Sequence, residues 1–433
     1  MNVETMIESK ELVTRWADLH RREPRLRQRD GATQLGVSEA ELVAAHVGTT
    51  AVRLGTDWKG ILRGLGAAGP VTGLTRNEYA VIEKTGVYSN VEIDGHMGQV
   101  LDQGIDLRLF LSRWHVGFAL TEETKRGLRR SLQFFDAAGM AIHKVFLKEE
   151  SKIESFDALV DMHESEDQKP SQDVEPAAAR ASERPDDVID VPALRTGWQR
   201  MEDTHEFFHL LRKIGATRTQ ALRLAGPEWA ERIAVPSYRT VLEQAAETKL
   251  SIMVFVGNHG IIQIHSGPIH TVKEVDGWFN ILDPDFNLHV QGEGIASAWV
   301  VRKPTRDGVV TSLELYDRIG EMVAYLFSKR KPGQVESESW RTRPSTACCR
   351  WCGVSRPTTS RWWRTWRRGC SGALRRERPR PLTSPRRSSR VRARSGSSRR
   401  FLHAGTGTGP QEGVAQHRLG GHCRRPHPRR TGP

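Results

Sequence analysis

Ser131-Leu-Gln-Phe-Phe135, Asp136-Ala-Ala-Gly139 and Met140-Ala-Ile-His-Lys-Val-Phe-Leu147 return 181 residues later as Ser312-Leu-Glu-Leu-Tyr316, Asp317-Arg-Ile-Gly320 and Glu321-Met-Val-Ala-Tyr-Leu-Phe327. Each stretch reads as an apolar strand, a short Asp-to-Gly turn and a second strand, hence an antiparallel hairpin. The offset holds without a gap from about residue 72 to residue 147. It pairs Asn77 with Asn258, Gly86 with Gly267, Val91 with Val272, Asp102 with Asp283, Leu107 with Leu288 and Gly127 with Gly308. Random pairing does not keep one register through so many Gly, Asp and apolar positions. The chain therefore carries two copies of one unit, too few for a solenoid. Another hairpin, Ser251 to Val256, turn Gly257-Asn-His-Gly260, then Ile261 to Ile264, opens the second copy. Helical segments precede the strands, Ser38 to Val47 in the first copy and Trp198 to Leu224 in the second. The expected fold is α+β, a tandem duplication of a unit with helices packed on a large antiparallel sheet.

Composition divides the 433 residues into an N-terminal repeat half (1–163), a linker (164–190), a C-terminal repeat half (191–340) and a tail (341–433). The linker is rich in Glu, Asp, Pro, Ala and Ser, with almost no large apolar residue, and is expected to be solvated. The tail holds 24 Arg, no Lys or Asp, only Glu377 and Glu412, and all five cysteines. Of the net charge of +13, the tail thus accounts for +22 and residues 1–340 for −9. The acidic body disfavours a polyphosphate, so nucleic acid is not an expected partner. Without cysteine, residues 1–340 exclude disulfides, thiolate catalysis and Cys-zinc sites.

The tail also lacks Asn, Ile, Met and Tyr, whose codons lean to A and T. It reads as out-of-frame translation of GC-rich DNA starting near Trp340; the alternative is a disordered Arg-rich tail that binds nucleic acid. Mean hydropathy is low, at −0.52, and no apolar run is long enough to cross a bilayer. Met1 to Lys10 lacks the basic start and apolar core of a secretion signal. A cytoplasmic protein without membrane insertion is expected.

His205-Glu-Phe-Phe-His209 matches the zinc-peptidase pattern H-E-x-x-H, which on a helix sets both histidines on one face with Glu206 as general base. Arg212 and Gly215 stand where the longer metzincin pattern needs Gly and His. Glu228 is a candidate third ligand, but a lone Glu at that distance is commonplace. A zinc metallopeptidase is therefore the weaker alternative, and a packed helix face the bland one.

Asp106-Leu-Arg-Leu-Phe110, Gln133-Phe-Phe-Asp-Ala-Ala-Gly139, Asp203-Thr-His-Glu-Phe-Phe208, Met253-Val-Phe-Val-Gly-Asn258 and Arg302-Lys-Pro-Thr-Arg-Asp-Gly308 resemble the hemin-degrading or hemin-transport factor family. The resemblance covers about residues 10–341, duplication included. It implies two similar halves and a heme b held in a cleft between sheet and helices. It further implies His205 as the ligand to the heme iron and Arg108 on the opposite heme face. Arg218, Lys303 and Arg330 would hold the propionates, and Phe110, Met253, Phe255 and Phe327 would line the porphyrin. His209, one helical turn on, is an alternative ligand. Leu26 stands at the first-copy position equivalent to His205, so one heme site is expected, dependent on both halves.

These roles suit the ligand. Heme is an apolar disc with two carboxylates and a Lewis-acidic iron; it needs an imidazole, an apolar slot and cations at the rim. Arg pairs carboxylates at two points. Two functions follow from the resemblance. One is a carrier that takes heme from an inner-membrane transporter and passes it to an oxygenase. The other is a heme-degrading monooxygenase that releases iron, with Arg108 as distal catalytic donor. No Gly-rich dinucleotide loop opens a helix, so electrons would come from an external reductase.

Overall fold

The computed structural model describes residues 3–329, apart from Arg126 and residues 178–181. Arg330, the tail and the reading-frame expectation attached to it lie outside the described residues. The helices are α1 (Val3–Arg22), α2 (Gln28–Leu35), α3 (Glu39–Ala44), α4 (Trp58–Gly64), α5 (Ile153–Met162), α6 (Val191–Gln199), α7 (Glu206–Ile214), α8 (Arg218–Ala225) and α9 (Ser237–Thr248). The strands of the first copy are β1 (Ala51–Leu54), β2 (Val71–Arg76), β3 (Ala80–Gly86), β4 (Val91–Asp94), β5 (Met97–Leu101), β6 (Asp106–Phe110), β7 (Val116–Thr124), β8 (Gly127–Phe135) and β9 (Ala141–Leu147). Those of the second are β10 (Ala230–Ile233), β11 (Ile252–Asn258), β12 (Ile261–Gly267), β13 (Val272–Val275), β14 (Trp278–Asp283), β15 (Phe286–Gln291), β16 (Ser297–Thr305), β17 (Gly308–Tyr316) and β18 (Met322–Ser328).

Both quoted stretches are hairpins, β8–β9 and β17–β18, and each carries a register shift at the same repeat position, Phe134/Phe135 and Leu315/Tyr316. The strands form two nine-stranded sheets in which every pair is antiparallel. The orders are β1-β7-β8-β9-β2-β3-β15-β14-β13 and β10-β16-β17-β18-β11-β12-β6-β5-β4. Each sheet thus takes six strands from one copy and three from the other, so the boundary between the repeat halves is not a boundary between sheets. The exchange pairs β6 with β12 and β15 with β3. It removes what would otherwise be edges in the middle of the molecule, where unpaired backbone groups are costly.

The repeated asparagines hold this junction. Asn77 Nδ2 donates to the carbonyls of Gly257, Met322 and Val323, and Asn258 Nδ2 donates to those of Arg76 and Ile142. Each also folds its own turn, Asn77 Oδ1 accepting from Tyr79 and Ala80 and Asn258 Oδ1 from Gly260.

The alternating strands bury one face of each sheet. Residues of β3, β14 and β15 form one core with β11, β17, β18 and α9. A second core joins β2, β5, β6, β8 and β9 to α4 and α5. On the opposite faces, α3 packs against Val116, Phe118, Leu120 and Phe135 of the first sheet. Helices α6–α8 pack on the β10-β16-β17 end of the second.

Two expectations are modified. The helical stretch from Trp198 to Leu224 is broken twice: α6 ends at Gln199, and Gly215 in the left-handed region (φ 73°) closes α7 before Thr217 caps α8. The linker is not wholly solvated either. Arg53 donates to the carbonyls of Lys169 and Ser171 and to the Gln172 side chain. Glu164 bridges to Leu54, and Glu175 N–H donates to Ala137.

Candidate functional site

The segment Asp203-Thr-His-Glu-Phe-Phe208 starts α7. Glu206 accepts the Glu202 N–H at 2.9 Å, an acidic side chain against the positive end of the helix. Phe207 anchors the helix, buried edge-on against Trp198 with ring centres 4.4 Å apart. His205 is the N-cap residue and its side chain is 91% exposed. Asp203 accepts from the His205 backbone N–H at 2.7 Å and from Nδ1 at 2.6 Å. Those bonds, the backbone one foremost, hold the Asp203 carboxyl below its ordinary range. With the proton on Nδ1, Nε2 is left as an outward lone pair. That is the arrangement in which a carboxylate orients a metal-binding imidazole. His209 is also exposed. Among the described residues no group of three His, Cys, Asp or Glu could hold a metal ion, so Glu228 does not complete a zinc site with the two histidines.

Strand register places most of the other candidates on one face of the second sheet. Across β17, β18 and β11, Ser312 stands opposite Phe327, which stands opposite Met253; Glu314 stands opposite Tyr325, which stands opposite Phe255. The row continues through Ile264 and Asp106, and through Ile262 and Arg108. Phe110, two residues beyond Arg108, shares this side, as does Lys303 at the other end. The alternate residues, among them Val254, Leu326, Leu313, Leu107 and Leu109, are buried in the core. Among the described residues helices α6–α8 cover the β10-β16-β17 end alone, and Met253, Phe255, Ile262, Phe327 and Phe110 are half-buried. Phe255 and Phe327 touch, ring centres 4.8 Å apart. The result is a partly uncovered apolar floor. Arg108 lies on it 36% exposed, its guanidinium tied to the Asp106 carboxylate and the Leu107 carbonyl.

Arg218 and Lys303, expected to hold the propionates, share one acidic partner. Both are clamped on Glu314, which is fully buried. Arg218 reaches Glu314 through Nε at 3.0 Å and Nη2 at 2.8 Å, and Lys303 Nζ lies 2.6 Å from it. Ser312 and Tyr316 also donate to that carboxylate. Arg218 stacks on Phe207 and Tyr325, and Lys303 Nζ lies over Phe207. Burial pulls Lys303 down to about 8, with Glu314 opposing the shift. Burial pushes Glu314 up, but the two cations outweigh it and hold the carboxyl well below its ordinary range. Glu314 was absent from the candidates; its signal was an acid between two leucines on the Ser312–Tyr316 strand. Asp203 lay inside the quoted segment without a role.

The first sheet lacks the set. His289 replaces Arg108 and is engaged with Asn280 at 2.6 Å. The buried charge is reversed, with Glu39 on a helix between Lys144 and Arg76 on the sheet.

A family profile for the haemin-degrading HemS.ChuX domain matches residues 36–163 and again 215–345. The chain belongs to the HemS/ChuX family. Within that family, the hemin transport proteins HmuS of Yersinia pestis and HemS of Yersinia enterocolitica are each 40% identical, over 314 and 317 residues, which is 72% of this chain and 90% of each relative. Among solved structures, holo-PhuS, a heme-binding protein from Pseudomonas aeruginosa, is 49% identical with a TM-score of 0.76, covering 78% of this chain and 98% of that one. ChuS, a heme-degrading enzyme of Escherichia coli O157:H7, is 37% identical with a TM-score of 0.72, covering 77% and 97%. The family is thus one of heme binding, hemin transport and hemin degradation, and the two profile matches fall on the two repeat copies. Among the described residues no helix is long and apolar enough to cross a membrane.

Proposed function

We propose that this protein binds one heme through His205 in the course of heme uptake and iron utilisation. The observation that carries this reading is the Asp203–His205 pair, an exposed imidazole oriented through Nδ1. A bound heme supplies a Lewis-acidic iron at the centre of an apolar disc with two carboxylates. Asp203 fixes the imidazole tautomer so that Nε2 is the donor atom. Met253, Phe255, Phe327 and Phe110 offer a flat apolar surface, and Arg108 holds a cation over the same face. Arg218, Lys303 and Glu314 together leave one positive charge beneath the helices, which favours an anionic group nearby. Arg330 remains a candidate rim cation.

The similarity to hemin transport proteins favours a carrier working in the cytoplasm, taking heme from an inner-membrane transporter. Arg108, half-exposed on the heme-facing strand, favours degradation as the second reading, since its N–H groups can donate to a reacting ligand; electrons would come from an external donor. The test is a hemin titration of the protein followed in the Soret band, beside His205→Ala. A saturable one-to-one shift that is weakened or altered in the variant is expected; identical behaviour refutes the assignment. Ascorbate and air added to the complex separate the two readings, by retention or loss of the Soret band.

A further inference from the structure

The two copies each build a groove at the outer end of their sheet, and among the described residues only the first is filled. In the first copy the groove runs between β1, the β8–β9 turn and Ser38 at the start of α3. Arg53, opposite Phe118 and over its ring at 5.0 Å, donates to the carbonyls of Lys169 and Ser171 and to the Gln172 side chain. The segment pairs with the β1 edge through Glu164 and through the Ser165 N–H on the Arg53 carbonyl. It ends with Glu175 bonded to Ala137 in the turn.

In the second copy the same positions are Arg232, opposite Trp299, with Thr217 at the start of α8 and Arg318 and Gly320 in the β17–β18 turn. These residues line a cavity of about 520 Å³. Trp299 Nε1 is shielded from water yet has no hydrogen-bond partner among the described residues. Arg232 and Arg318 are exposed, and among the described residues no acid pairs with either. The acids that line the cavity are engaged elsewhere, Glu183 with Arg223 and Thr217, and Asp317 with the N–H groups of its own turn. β10 is an edge strand of its sheet.

We propose that this second groove binds an extended acidic peptide segment of a partner protein, laid along β10 as residues 164–175 lie along β1. The groove offers donors (two guanidiniums and an indole N–H) with an open strand edge, and an extended chain supplies carbonyls to match. The occupant is acidic because Arg318 adds a cation where the filled groove has Ala137, and because the segment held by Arg53 carries Glu164, Glu166, Asp167, Asp173 and Glu175 against one Lys. A guanidinium recognises carboxylates and carbonyls alike. The site is independent of the heme reading.

The probe is a fluorescein-labelled synthetic peptide of residues 164–177, titrated with the full-length protein and read by fluorescence polarisation. Saturable binding is expected, weakened at least tenfold by Arg232→Ala and again by Arg318→Ala, with unchanged melting because both side chains are exposed. Arg53→Ala should leave it intact. Absence of saturable binding, equal affinity in Arg232→Ala, or loss only in Arg53→Ala (exchange with the chain's own linker) overturns the proposal. Self-association that Arg232→Ala abolishes would place a second copy in the groove and overturn it equally.

Discussion

Replacing Glu314 by Gln removes the one carboxylate shared by two buried cations while keeping the side chain's volume. Arg218 bonds it at two points and Lys303 at one, and Glu314 itself is fully buried. Removing one partner of such a cluster costs about 3–5 kcal/mol, because the other charges stay desolvated without compensation. Lys303 has an escape that Arg218 lacks. Burial already holds it at about 8, and without Glu314 it falls further and loses its proton. The sign follows. In both proteins the folded-state value lies below the ordinary lysine value of about 10.5, so stability rises with pH above the folded value. In the variant that rise begins at lower pH. The gap between Glu314→Gln and wild type should therefore be widest near pH 6, narrow as pH approaches about 8, and stay level above it. Urea denaturation at pH 6, 7, 8 and 9, followed by circular dichroism, reads the gap directly. A loss under about 1 kcal/mol at pH 6, or one that does not change with pH, would refute the clamp.

Asp203→Asn should weaken hemin binding about 10- to 100-fold while sparing the ligand itself, measured by Soret titration; unchanged affinity would mean that the Nδ1 contact is incidental. His143 lies buried between Thr75 and Tyr88, and burial pulls it down to about 3. Its folded value lies below the ordinary 6.5, so its neutral form stabilises the fold fully above pH 6.5. That contribution is lost as pH falls toward 3, with a slope of up to about 1.4 kcal/mol per pH unit; His143→Gln should flatten the stability profile between pH 6 and 4. Asn77→Ala strips a donor from three carbonyls across the repeat junction. A loss of about 2–4 kcal/mol is expected in chemical denaturation, and a neutral result would mean that the junction is held by the strands alone.

Much of the candidate site was legible because strand alternation is a local signal. Met253 and Phe255, like Arg108 and Phe110, are spaced by two and so share a face in any strand; only the register showed that these strands adjoin, through β12. His205 stood out through the H-E-x-x-H pattern and the family resemblance of its segment, whereas the bond from Asp203 to its Nδ1 came from the structure alone. The pairing of Arg218 and Lys303 with Glu314 was not legible. A basic residue has the same appearance in sequence whether it faces water or a buried acid, and Glu314 lies 96 residues from Arg218. The linker misled in the same way, since its polar composition fits a solvated chain and conceals that Arg53 holds it through the Lys169 and Ser171 carbonyls and the Gln172 side chain.

The amino-acid sequence by itself determined the duplication, the antiparallel hairpins and the acidic body, because each is encoded by spacing or composition over a few residues or by one constant offset. Only the tertiary structure decided that the copies exchange three strands apiece, that Glu314 binds both cations, and that residues 164–175 occupy the groove of the first copy. Two similar copies offer each strand edge two nearly identical partners. The choice between them rests on burial and hydrogen bonding summed over the whole molecule, of which no short stretch of chain carries a trace.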